Sequence, residues 1–122
     1  MEEINLRNYA YLGDAVWELF IRKKTIMMTN NAKKLHQYTT EFVKTHTQSE
    51  LLHYIDQYLT EEEKELVRRA RNLPIPVGRK NIQVEYRQAT AFETLIGWWY
   101  SYSQERMEEI FKICEIYFEQ MQ

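Results

Sequence analysis

Two carboxylates interrupt stretches of the sequence that are otherwise apolar. Asp14 follows Tyr-Leu-Gly at residues 11–13, and Glu93 stands between Ala-Phe and Thr-Leu-Ile-Gly in residues 91–97. An ionised carboxylate in apolar surroundings is costly unless a cation or hydrogen-bond donors compensate its charge. The pattern therefore predicts a compensating partner for each acid.

A shared divalent cation is one such partner. Gly13 adjoins Asp14, and Gly97 lies one helical turn after Glu93. If both segments are helices, these glycines allow a close approach that brings the two carboxylates to one ion. Mg²⁺ fits this hypothesis because proteins bind it through one or two carboxylates, while water and substrate phosphate complete its shell. The structural alternative is a pair of partly exposed acids, each capping a helix or paired with an arginine.

Other chemistries have little support in the sequence. His36, His46 and His53 fit no close-spaced zinc pattern, and a single cysteine, Cys114, excludes an internal disulfide. Cys114 falls within an apolar helical stripe, which predicts a buried structural thiol. No P-loop, dinucleotide glycine motif or Gly-x-Ser-x-Gly elbow occurs.

The charge distribution is compatible with a polyanionic partner on one face. The 122 residues include 16 basic and 18 acidic side chains, for a net charge of −2. Residues 22–34 nevertheless contain no acid, and residues 64–80 contain Glu65 alone against six basic residues. The alternative is that these are ordinary solvated helix faces.

The elements that position the two acids are predicted to be helices. Apolar residues recur at steps of three and four, which indicates one apolar stripe per helix. The first helix is expected from about Ile4 to Lys24, and the one that carries Glu93 from about Val84 to Tyr102. No long apolar segment or leader-like start is present, so we expect a soluble cytoplasmic protein.

Four further helices complete the predicted architecture. Thr47 with Glu50, and Thr60 with Glu63, each match a reciprocal capping box that starts a helix. Another helix should follow Asn30 or Asn31, and a last one carries the stripe from Met107 to Met121. Residues 73–80, with two prolines and a glycine, predict an extended basic loop. The fold class is therefore all-α, a bundle of about six helices.

The two acidic segments resemble a known family. Tyr9–Glu18 is similar to the signature helix of ribonuclease III, and Thr90–Gly97 resembles its second acidic helix. The Arg-Ala-Arg-Asn stretch at residues 69–72 and the short chain resemble the bacterial Mini-ribonuclease III branch. This resemblance implies a single ribonuclease III-like catalytic domain over residues 1–122, a six-helix bundle with no appended double-stranded RNA-binding domain.

The resemblance also implies an activity. It is that of a homodimeric endoribonuclease that cleaves double-stranded RNA with Mg²⁺, for which Mn²⁺ is a possible substitute, and leaves 5′-phosphate ends. The family's essential acids fall on Asp14 and Glu93. Two further carboxylates of ordinary ribonuclease III are replaced here by Ala10 and Thr90, as they are in the Mini-ribonuclease III branch. The substrate implied is precursor ribosomal RNA of the large subunit (23S).

Contacts with RNA are expected on the second basic stretch, because cations position a duplex through its phosphates. The candidates are Arg68, Arg69, Arg71, Asn72, Arg79 and Lys80. A homodimer is also expected from the aromatic side chains around Asp14, namely Tyr9, Tyr11 and Trp17.

Two other functions remain open from the residues alone. One is a non-catalytic helical protein of the same fold that binds duplex RNA or the ribosome, which the absence of acids at Ala10 and Thr90 would permit. The other is a helical protein-interaction module with no ligand. Cleavage of duplex RNA in Mg²⁺ separates the enzyme from both alternatives.

Overall fold

The structure is a computed structural model and describes residues 3–75 and 83–121. This part of the chain contains helices and no strand, so the predicted all-α fold is confirmed. The helices are α1 Glu3–Thr25, α2 Ala32–Val43, α3 Thr45–Ile55, α4 Glu61–Arg71, α5 Gln83–Tyr102 and α6 Gln104–Gln120, with a short 3₁₀ turn Asp56–Tyr58 between α3 and α4.

Helices α1 and α5 form the central pair of the bundle, and their backbones touch. A Cβ atom added to Gly13 would lie 1.8 Å from the carbonyl oxygen of Glu93. One added to Gly97 would lie 1.9 Å from the carbonyl oxygen of Tyr9. Any other residue at these two positions would force the helices apart, so the close approach predicted from the glycines is confirmed.

The core of the bundle is aromatic and centres on Trp17. This side chain is fully buried and packs edge-on against Phe92 of α5 and Phe111 of α6. The expectation that Trp17 contributes to a surface for a second subunit is therefore wrong. Its indole occupies the middle of the fold, where it donates to the carbonyl of Phe42, because the α6 stripe covers this face of α1.

Two of the predicted helix starts are confirmed. Asn31 caps α2 by accepting a hydrogen bond from the amide of Lys34 at 3.0 Å. Thr60 and Glu63 form the reciprocal capping box at α4: the Thr60 amide donates to Glu63 at 2.9 Å, and the Glu63 amide donates to Thr60 at 3.1 Å. Capping of this kind satisfies backbone amides that have no partner within the helix.

The third predicted start, at Thr47, is wrong. Helix α3 begins at Thr45, with Lys44 as a cap that makes no side-chain hydrogen bond. The Thr47 hydroxyl donates instead to the carbonyl of Glu41 in the preceding helix at 2.6 Å. A carbonyl of the preceding helix has therefore replaced the local amide as the partner of this hydroxyl, and the helix starts three residues earlier than a cap at Thr47 predicts.

Two smaller expectations concern the thiol and the membrane. Cys114 is completely buried on α6, as predicted, and burial raises the pKa of its thiol. Among the helices of residues 3–75 and 83–121, none combines the length and apolar character needed to span a bilayer.

Candidate active site

The two acids predicted to act together face one cleft. Asp14 projects from α1 and is exposed, whereas Glu93 projects from α5 and is partly buried. The Gly13 contact with the backbone of Glu93 holds these positions side by side. The cleft has a volume of about 380 Å³, and its walls include both acids together with Ala10 and Thr90.

The electrostatics of Glu93 are unusual for a glutamate. Burial, followed by the adjacent Asp14 carboxyl group, raises the pKa of Glu93 from 4.5 to about 8. One contact acts to lower this pKa, namely a long hydrogen bond of 3.4 Å from the Gln48 amide to Glu93. Two carboxyl groups that share a site without a cation disfavour each other's charge. The site is therefore short of positive charge.

The donor set fits a hard divalent cation. Within residues 3–75 and 83–121, neither acid forms an ion pair with a lysine, arginine or histidine. The same residues contain no cluster of three or more acidic, histidine or cysteine side chains suited to a metal. Two carboxylates with space left by Ala10 and Thr90 match the sparse protein ligation that Mg²⁺ accepts, since water and phosphate complete its shell.

Three polar residues of the site were missed by the sequence interpretation. The Arg87 guanidinium donates to the carbonyls of Arg71 at 2.7 Å and Leu73 at 3.1 Å, and Arg7 donates to the carbonyl of Pro74 at 2.9 Å. Both arginines line the cleft and fix the segment that leaves α4. The third residue is Gln48, which reaches Glu93 from α3. No local pattern reveals these contacts, because each joins residues far apart in the chain.

The predicted RNA contacts lie in different surroundings. Arg68 is exposed and paired with Glu65, whose carboxylate raises the pKa of the guanidinium. Arg69 is partly buried, and Arg71 and Asn72 are exposed at the end of α4. Arg79 and Lys80 lie outside the described residues.

Comparisons with known proteins identify the family of this chain. The family model of the ribonuclease III domain matches residues 7–104. The chain is 41% identical to the Mini-ribonuclease 3 of Clostridium tetani, covering 93% of this chain and 78% of that protein. It is 35% identical to the Mini-ribonuclease 3 of Gloeobacter violaceus, covering 94% of this chain and 85% of that protein.

A solved structure shares the fold. The crystal structure of a protein from Fusobacterium nucleatum superposes with a TM-score of 0.82 at 33% sequence identity, and the match covers 93% of this chain and 98% of that one. The arrangement of the six helices is therefore that of an experimentally determined relative.

Proposed function

This chain belongs to the ribonuclease III family, in its Mini-ribonuclease 3 branch, and from that premise we propose that Asp14 and Glu93 hold the Mg²⁺ with which it cleaves double-stranded RNA. It is an endoribonuclease by family. The observation that supports this site best is the partly buried Glu93, which lies beside Asp14 in a cleft and has no cationic partner among the described residues. Mn²⁺ is a possible substitute for Mg²⁺.

The mechanism follows from the charge of the substrate. Asp14 and Glu93 would hold a divalent cation, which would neutralise the phosphodiester, lower the pKa of a water molecule and stabilise the leaving 3′ oxygen. The chain supplies the carboxylates of Asp14 and Glu93 on two helices whose spacing is fixed by Gly13 and Gly97. Glu93 must lose its proton before it can act as a ligand. The small Ala10 and Thr90 side chains leave room in the cleft for water and the scissile phosphate.

Duplex recognition is assigned to the end of α4 and the segment that follows it. Because A-form RNA presents phosphates and 2′-hydroxyls across a broad minor groove, the cations should position the duplex rather than read its sequence. We place Arg68, Arg69, Arg71, Asn72, Arg79 and Lys80 in this role. The carbonyl contacts of Arg7 and Arg87 support it, since they fix the start of the segment against the cleft.

Two such sites would cut opposite strands in a homodimer. Of the aromatic residues expected at the interface, Tyr11 is 85% exposed, whereas Tyr9 is hydrogen-bonded to Tyr102. Leu19, two turns further along α1, is 61% exposed and lines a separate groove of about 310 Å³ between α1, α5 and α6. Sedimentation at micromolar concentration should give a dimer, and Leu19→Glu should give a monomer. A wild-type monomer would contradict the proposal.

The decisive experiment separates an enzyme from a binder. The purified protein should cut a long duplex RNA in Mg²⁺ and leave 5′-phosphate ends, and in Ca²⁺ it should bind the duplex without cutting it. Binding without cleavage in either ion would favour the non-catalytic alternative, and no binding would favour the interaction module. The proposed cellular substrate is precursor 23S ribosomal RNA, which mapping of the RNA ends in depleted cells would test.

A further inference from the structure

Gln48 is a buried polar side chain beside the site that the proposed mechanism does not use. It is 3% exposed, and its Nε2 lies 3.1 Å from the carbonyl oxygen of Val43 and 3.4 Å from Oε2 of Glu93. Both neighbours are hydrogen-bond acceptors, so only the NH₂ end of the amide suits this position. The side chain thus connects the end of α2, through α3, to the carboxylate on α5.

This arrangement restricts the Glu93 carboxylate. A donor on Oε2 limits rotation about the last side-chain bond of a residue that lines the cleft. Because the Val43 carbonyl fixes the donor itself, the amide cannot turn to follow a carboxylate that moves away. Partners that hold a metal ligand in this manner often set the affinity of the site.

We infer that Gln48 is a positioning residue for the cation site: its amide orients the Glu93 carboxylate beside Asp14 and thereby sets the affinity for a divalent cation. The inference rests on the proposed function, since it takes Glu93 as a ligand. It concerns the strength of cation binding in the absence of RNA, which can be measured separately from cleavage.

Ser49 provides a matched control on the same helix. It is 8% exposed, and its hydroxyl donates to Oε1 of Gln88 on α5. Ser49→Ala therefore removes a buried hydrogen bond between α3 and α5, as Gln48→Met does, but it leaves the partner of Glu93 in place. A purely structural role of Gln48 would make the two variants alike.

The experiment is a Mn²⁺ titration of the RNA-free protein, followed by electron paramagnetic resonance. Gln48→Met should weaken Mn²⁺ binding by about tenfold, whereas Ser49→Ala should stay within about twofold of the wild type. Gln48→Met should also raise the Mg²⁺ concentration for half-maximal cleavage more than it lowers the rate at saturating Mg²⁺. Unchanged Mn²⁺ affinity in Gln48→Met, or an equal loss in Ser49→Ala, overturns the inference.

Failure of the inference and failure of the proposed function give different results. If the wild type shows no Mn²⁺ binding that Glu93→Gln removes, the cation site itself is wrong. If Glu93→Gln removes binding but Gln48→Met does not weaken it, only the role of Gln48 is wrong. Should Gln48→Met lose its helical circular dichroism, Gln48→Asn keeps a buried amide but withdraws it from Glu93 by one methylene. It should weaken Mn²⁺ binding in the same direction, and an unchanged affinity would again overturn the inference.

Discussion

Two glutamates removed from solvent show how differently this fold treats a carboxylate. Glu63, at the start of α4, is 4% exposed and accepts hydrogen bonds from the Thr60 amide, from Trp99 Nε1 at 2.9 Å and from the Arg106 guanidinium at 2.9 and 3.0 Å. Burial alone would raise the pKa of Glu63, but the Arg106, Thr60 and Trp99 hydrogen bonds outweigh it and hold that pKa below its ordinary value.

Glu93 has the opposite balance. Its hydrogen-bond donor is Gln48 at 3.4 Å, its neighbour is another acid, and its pKa is raised to about 8. The fold completes the environment of Glu63 from its own side chains and leaves that of Glu93 incomplete. The difference supports the proposal that Glu93 is the functional carboxylate, because a charge deficit maintained at a cleft is a place for an external cation.

The largest expected effect is loss of cleavage when the incomplete site is altered. Asp14→Asn and Glu93→Gln keep the size of each side chain but remove the charge that holds the cation. Each should lower the cleavage rate by about a thousandfold or more, since the cation supplies several kcal/mol of transition-state stabilisation. Single-turnover cleavage of a duplex in Mg²⁺ measures this rate.

The control for that experiment is Glu62→Gln. Glu62 is an exposed glutamate on α4, one residue before Glu63, and its charge has no part in the cleft. Its cleavage rate should equal that of the wild type, and both active-site variants should retain helicity and duplex binding in Ca²⁺. Cleavage by Asp14→Asn or Glu93→Gln at nearly the wild-type rate would show that the substituted acid does not hold the catalytic cation.

The second effect is a loss of stability when Glu63 is substituted, since the fold supplies all the partners of this carboxylate. Glu63→Gln removes the buried charge partner of the Arg106 guanidinium, which is 22% exposed and keeps only the exposed Glu109 carboxylate at 3.9 Å. Breaking such a pair should lower the free energy of unfolding by about 2 to 4 kcal/mol and the melting temperature by roughly 10 °C. Differential scanning calorimetry measures both. If Glu63→Gln has the same melting temperature as the wild type, the ion pair with Arg106 does not stabilise the fold.

The sequence predicted the approach of the two acidic helices better than it predicted the partners of Glu63 and Glu93. The glycines beside the two acids and the helical periodicity predicted the approach of α1 and α5, because contact between helix backbones requires a residue without a side chain. The capping box at Thr60 is also local. The partners Arg106 for Glu63 and Gln48 for Glu93 were not predictable, since each comes from a distant helix. The Thr47 cap was wrong for a different reason, since its hydroxyl found the carbonyl of Glu41 at the end of the preceding helix.

The third effect is a gain of stability and depends on pH. The pKa of Glu93 is raised in the folded protein, so the folded state holds this proton more tightly than the unfolded chain does. The free energy of unfolding therefore falls as the pH rises from about 4.5 to about 8. Glu93→Gln carries no titrating group, so it should be more stable than the metal-free wild type by about 1 to 3 kcal/mol at pH 8, and equal to it near pH 4.

Thermal unfolding in EDTA at pH 4 and pH 8 measures this gain. Glu63→Gln serves as the contrasting variant: the depressed pKa of Glu63 means that its contribution persists at every pH above the unfolded value and is lost only in acid. Glu63→Gln should thus be less stable than the wild type at pH 8. If Glu93→Gln were less stable than Glu63→Gln at pH 8, the pKa values of the two carboxyl groups would not be shifted in opposite directions as proposed.

The smallest expected effect extends the comparison to two arginines of α4. Arg68 is already paired with Glu65 through its guanidinium, whereas Arg71 is exposed at the helix end, where its backbone carbonyl is held by Arg87. An arginine whose charge is compensated within the helix has less to offer a phosphate. Arg71→Ala should therefore weaken duplex binding across sequences and reduce the slope of log affinity against log salt by roughly 0.7 to 0.9 per lost phosphate contact. Filter binding at several salt concentrations in Ca²⁺ measures the slope. Arg68→Ala should change this slope less than Arg71→Ala does. Equal slopes for the two variants would show that the ion pair with Glu65 does not determine which arginine contacts the RNA.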